Sequence, residues 1–124
     1  IRQSAAEFKS TFKVVKMDIN LFLETTIQKY NLIVCFQFIS FFEKSKAQNL
    51  LFKLRSHLKA GGIVAICIPN EMFTISPQPH DFTFEDFRNK FNLNNREFED
   101  FVQGFELLSH EKDEFYHWAI LRFQ

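Results

Sequence analysis

Apolar side chains along this chain gather into two unbroken runs with a helix-spaced stripe between them. The first run is YNLIVCFQF, residues 30–38, and the second is IVAICIP, residues 63–69. Runs without polar alternation, bounded by turn signals, suit strands buried on both faces of a parallel sheet. Between them Ala47, Leu50, Leu51, Leu54 and Leu58 recur at helical spacing and form one apolar stripe. Ser45 with Gln48 three residues on is a capping-box pattern and predicts the helix start. Lys59 in a last turn and Gly61 at the place of a left-handed cap predict its end. Gly62 then lets the backbone turn tightly into the second run. Strand, helix, strand in this order is a βαβ unit with a parallel pair.

The flanks are less regular. FKVVKMDIN, residues 12–20, predicts a strand through Val14 and Val15 that ends at Asp18. Residues 21–29 read as a short helical or irregular connection, and residues 71–82, with Pro77 and Pro79, as a loop. Thr83 and Asp86 open a short helix with Phe84, Phe87 and Phe91 inward. Phe98, Phe101 and Val102 mark another helical segment, with Gly104 as its stop. FELLSHEKDEFYHWAILRFQ then predicts a β-hairpin around the charged residues 111–114, with Trp118, Ile120 and Leu121 facing the core.

Composition changes this picture in a few places. The 124 residues read as one domain, and the 18 phenylalanines fill a core without polar groups that need partners. Formal charge is zero and no basic stripe is present, which excludes a nucleic-acid interface of the usual kind. No apolar stretch is long enough to span a bilayer and no signal peptide is evident, so no membrane partner is expected. Cys35 and Cys67 lie inside the apolar runs and read as buried, reduced thiols of a cytoplasmic protein. His57 reads as a helix-surface residue. His110 and His117 sit across the hairpin without the spacing or companions of a zinc site, so no metal is expected.

With the βαβ unit, the acid at Asp18 and the terminal hairpin in place, the chain resembles the C-terminal part of a class I S-adenosylmethionine (SAM) dependent methyltransferase. The likeness is nearest to the tellurite-resistance type. The carrying segments are KMDIN, YNLIVCFQFISFFEKSKAQNLLFKLRSHLKAGGIVAICIP and HDFTFEDF. The resemblance implies an α/β fold, a Rossmann-like three-layer sandwich whose sheet runs 3-2-1-4-5-7-6. FKVVKM, NLIVCF, IVAICI, FELLSH and YHWAILRF would be its strands 3, 4, 5, 6 and 7, ending in an antiparallel hairpin. The family's glycine-rich turn after strand 1 has no counterpart, because Gly61, Gly62 and Gly104 are the only glycines and no G-x-G occurs. Its ribose-binding acid would fall before Ile1. The expectation is therefore the back portion of a longer methyltransferase domain.

The resemblance also implies a site. Asp18 would accept from the adenine amino group of SAM and Ile19 would offer its backbone N–H to the ring. Phe36, Gln37 and Phe38 leave strand 4 at its carboxyl end, where open α/β sheets bind ligands, and would line the methionine part of the cofactor. Asn70 and Glu71, leaving strand 5, and His80 in the following loop are candidate substrate-binding residues. No catalytic side chain is singled out, since methyl transfer from a sulfonium mainly needs alignment. The expected activity is methyl transfer to a small molecule or oxyanion. The rival reading is a non-catalytic, methyltransferase-like interaction module.

Overall fold

The computed structural model describes residues 14–73 and 92–123, apart from the side chain of Phe41. In chain order the elements are α1 (Ile19–Thr25), β1 (Tyr30–Phe36), a 3-10 turn (Ile39–Phe41), α2 (Lys44–Arg55), β2 (Leu58–Pro69), α3 (Asn95–Phe101), β3 (Phe105–Lys112) and β4 (Tyr116–Phe123). The four strands form one sheet in the order β1-β2-β4-β3. β1 and β2 are parallel, and β4 runs antiparallel to both β2 and β3. The βαβ unit and the closing hairpin are thus as the residue pattern predicts.

The helices pack on one face. Ala47, Leu50, Leu51 and Leu54 of α2 are buried, as the stripe requires, against Cys35 of β1 and Val64, Ile66 and Ile68 of β2. Leu23 of α1 and Phe98 and Phe101 of α3 join the same cluster, with Ala119 and Leu121 from β4. Arg55, at the end of α2, lies over the rings of Phe52, Phe105 and Phe123 at 5.7, 5.7 and 5.0 Å. Such cation–π contacts fasten the helix to the hairpin.

Several expectations are corrected. β1 is not buried on both faces: Leu32, Val34 and Phe36 are each about half exposed. Apolar composition fixes which residues can be covered, not what lies over them, and β1 is the edge strand here. Among the described residues, two layers of the implied sandwich are present, the sheet and one helical layer. Trp118 and Ile120 also belong to the open face, at 36% and 38% exposure, while Leu121 is fully buried. Successive strand residues point to opposite sides, so Ile120 and Leu121 cannot both face one core.

The strand expected to end at Asp18 is absent from the described part, since Val14–Met17 lies in no element and these side chains are exposed. A strand needs a ladder partner, and no described residue offers one; Phe12 and Lys13 lie outside the described residues. Asp18 instead caps α1, its carboxylate accepting from the Leu21 backbone N–H at 3.2 Å. Asp18→Ala is expected to lower stability by about 0.5–2 kcal/mol, and Asp18→Asn far less, read from urea midpoints. Equal losses for both variants would show that the cap bond contributes nothing.

The start and end of α2 also differ from the pattern. Its N-cap is Glu43, without a side-chain bond, so Ser45 falls inside the first turn and the S-x-x-Q box is unused. Gln48 reaches instead to the Asp100 carbonyl at 3.4 Å. The helix stops at Arg55, well before Gly61, so Leu58 and Lys59, expected on it, open β2 instead. Gly61 does adopt a positive φ of 76°, but within β2, where the pairing register slips between Tyr30 and Leu32. That left-handed residue serves a β-bulge, not a helix cap. Gly104, at φ 95°, follows α3 as expected. The helix expected over residues 83–91 lies outside the described residues.

Candidate functional site at the carboxyl edge of the sheet

β1 and β2 run side by side, with Cys35 opposite Ile66 and Phe36 opposite Cys67, so both carboxyl ends open on one edge of the sheet. Three of the expected residues leave β1 there. Phe36 is half exposed on the open face and meets Trp118 edge-to-face, with ring centroids 5.5 Å apart. Gln37 has φ 55°, the only positive φ of a non-glycine residue described, and its backbone N–H donates to the Cys67 carbonyl at 3.0 Å. A glutamine in the left-handed region is strained by about 1–2 kcal/mol, and such residues cluster at ligand clamps. Its side chain is exposed, so the partner that a buried amide would need is not required. Phe38 turns outward against Phe42, with centroids 5.5 Å apart.

Beside this turn the open face forms a shallow hollow of about 280 Å³ lined by Phe36, Ala65, Trp118 and Ile120, with Ser109 and Glu111 at its β3 side. Trp118 donates its indole N–H to Asp113 at 2.7 Å. That bond, with backbone N–H groups of Phe115 and Tyr116, holds the Asp113 carboxyl below its ordinary range. The indole is thereby fixed in orientation. Sequence reasoning missed it, because the residue that orients it lies in the hairpin turn and only the folded turn brings them together.

The residues leaving β2 behave differently from expectation. Asn70 is fully buried: its amide N–H donates to the Asp113 carbonyl at 3.0 Å, and its side-chain oxygen accepts from the Met72 N–H at 2.8 Å. Its amide braces the hairpin turn against β2, and its oxygen fixes the backbone that follows β2. Glu71 is exposed and paired with Lys112, whose hydrogen bond holds its carboxyl below the usual range. His80 lies outside the described residues. Asp18 bonds to the described residues through one carboxylate oxygen, and Ile19 beside it packs partly into the core. Ile19, Phe22, Leu32, Ile33 and Leu54 frame a second, apolar hollow of about 240 Å³ between α1 and β1.

Burial pushes the thiols of Cys35 and Cys67 up to about 11, which makes both unreactive. Among the described residues no group of three or more His, Cys, Asp or Glu could hold a metal ion. No described helix is long and apolar enough to cross a membrane.

The sheet order, with the last strand inserted antiparallel between β2 and β3, is that of strands 4-5-7-6 in class I methyltransferases. The chain has this Rossmann-like α/β fold, in a partial form, and solved SAM-dependent methyltransferases share it. TehB from Haemophilus influenzae matches 98% of this chain over 45% of its own, with a TM-score of 0.61 and 16% identity. Magnesium protoporphyrin IX methyltransferase from Synechocystis, with bound SAM, matches 99% of the chain over 52% of its own, at TM-score 0.61 and 10% identity. The O-methyltransferase NcsB1 from neocarzinostatin biosynthesis, in complex with S-adenosylhomocysteine and 1,4-dihydroxy-2-naphthoic acid, gives 99%, 37%, 0.68 and 10%. This chain therefore spans about half or less of each of these structures, and identities so low show the fold alone. No family model matches the sequence. No curated protein does either.

Proposed function

We propose that this chain is the carboxyl-side portion of a SAM-dependent methyltransferase that acts on a small molecule or oxyanion. The observation that carries this reading is the strained turn at Gln37, set between two exposed phenylalanines at the carboxyl end of a parallel strand. The residues present fit one wall of a SAM site. Phe36 and Phe38 would flank the methionine part, Gln37 would present backbone and amide groups, and Asp18 with Ile19 would meet the adenine. Bound SAM supplies a methyl group on a sulfonium centre. The chain's own task is to align the acceptor, exclude water with the aromatic side chains, and hold the cofactor's ends. The opposite wall needs a glycine-rich turn, and the 124 residues hold no G-x-G.

Calorimetric titration with S-adenosylhomocysteine tests the reading in two arms. The 124-residue chain alone is expected to show no micromolar binding. A chain extended by the coding sequence upstream of Ile1 is expected to bind, and Asp18→Ala in it to weaken binding at least several-fold. Tight binding by the short chain would overturn its status as a portion; failure of the extended chain would overturn the cofactor assignment. The exposed apolar row of Leu32, Val34, Phe36, Trp118 and Ile120 supports a second reading, a non-catalytic interaction module. That module would leave S-adenosylhomocysteine unbound in both arms.

A further inference from the structure

His110 and His117 lie two residues apart diagonally across the hairpin, since His110 faces Ala119 and His117 faces Lys112. His117 is fully buried. One ring nitrogen, Nε2, lies 2.6 Å from the Leu93 carbonyl, and the other, Nδ1, lies 2.8 Å from His110 Nε2. A carbonyl only accepts, so His117 Nε2 carries the hydrogen and Nδ1 is left as an acceptor. His110 must then donate through its Nε2–H. The result is a directed relay from β3 through β4 to Leu93. Phe98 of α3 stacks on both rings, with centroids 4.3 and 4.5 Å away. Leu93 is held to β2 as well, through its N–H to the Pro69 carbonyl at 3.1 Å and a bridge to Asn70.

We propose that His110 and His117 form an acid-sensitive latch that holds residues 93–102 on the sheet and lets them go when both rings take up protons. The inference does not depend on the methyl-transfer reading.

The first added proton leaves the relay intact. His110 can take it on Nδ1 and still donate through Nε2. The second is different. A hydrogen on His117 Nδ1 would point at the His110 N–H across 2.8 Å, with like charges on both rings. Closed geometry therefore excludes it, while an open segment admits both protons in water.

Burial, more than the surrounding charges, favours the same outcome. Burial dominates at both rings and pushes each below its ordinary value of 6.5. Lys112 on β3 adds to that effect at both, and His110 adds to it at His117. Glu99 of α3 opposes it at His110, and the Leu93 carbonyl bond and Glu71, following β2, oppose it at His117. A histidine depressed in the closed state binds fewer protons there than when open. Closure is then fully favoured above pH 6.5 and weakens as pH falls below it.

Two such sites open the segment about ten- to a hundredfold more readily at pH 5.5 than at pH 7.5, the lower bound applying if His110 is already charged when closed. Hydrogen exchange of the Phe98 and Val102 amides, corrected for intrinsic rates, reads this change against the Val64 and Ile66 amides as reference. His117→Gln keeps an amide donor in place of Nε2–H and cannot titrate at that position, so its pH response is expected to shrink about tenfold, to the share that His110 carries. A pH response that is absent in the unaltered protein, or unchanged in His117→Gln, overturns the latch. If the variant does not fold, ring titration of the unaltered protein by NMR decides. His117 is expected to titrate below 6.5, and a value at or above it overturns the proposal.

Discussion

Phe98→Ala is expected to destabilise the protein by about 3–5 kcal/mol. The ring is fully buried in the main cluster and also stacks on both His110 and His117. Removing it deletes apolar contact with the sheet and leaves a cavity beneath two polar rings whose relay depends on being kept dry. Domains of this size are held by roughly 5–15 kcal/mol in all, so the loss is a large share of the total. A urea melt followed by far-ultraviolet dichroism measures it. Phe98→Leu should recover much of the loss, because it refills volume while sacrificing only the stacking. A shift below about 1 kcal/mol for Phe98→Ala would mean that α3 contributes little to the cooperative unit.

Substitution at the glycine pair should separate two adjacent residues that the sequence treats alike. A Cβ on Gly62 would stand 2.8 Å from the Lys59 carbonyl oxygen and 3.1 Å from that of Tyr30, both backbone atoms with little room to shift. Gly62→Ala is therefore expected to cost about 1–3 kcal/mol by forcing the bulge apart, and Gly62→Asn at least as much. Gly61 has no atom within 4 Å of such a Cβ, and only its φ of 76° resists a side chain. Gly61→Ala should cost about 1–2 kcal/mol, and Gly61→Asn less, since asparagine enters the left-handed region readily. The diagnostic is the response to asparagine, tolerated at one position and damaging at the next. Equal tolerance at both would remove the steric account of Gly62.

Much of the fold was legible because hydrophobic period reports local structure directly. The stripe from Ala47 to Leu54 and the two apolar runs around it placed β1, α2 and β2 correctly. Punctuation was less reliable. Gly61 needs a positive φ for a bulge that depends on pairing with β1, and a sequence states the permission without stating its use. Ser45 and Gln48 matched a capping box, yet the helix starts at Lys44 with Glu43 before it. The site was legible only in outline. Phe36 and Gln37 were placed at a strand's carboxyl end by resemblance, but the strained φ of Gln37 is a backbone property that composition does not encode. Asn70, expected to reach a substrate, is a buried brace because the hairpin turn folds over it. His110 and His117 meet only through hairpin register and the arrival of Leu93 from elsewhere in the chain.

The position of β4 governs how this molecule can be made. Its last strand, Tyr116–Phe123, is an interior one, lying between β2 and β3. As the polypeptide emerges from the ribosome, β1 and β2 can pair early across α2, but β3 has no neighbour to join among the described residues. The sheet therefore stays in two unconnected pieces until residues 116–123 are free. Synthesis interrupted before β4, or proteolytic loss of that strand, would remove the seam of the sheet and not its margin.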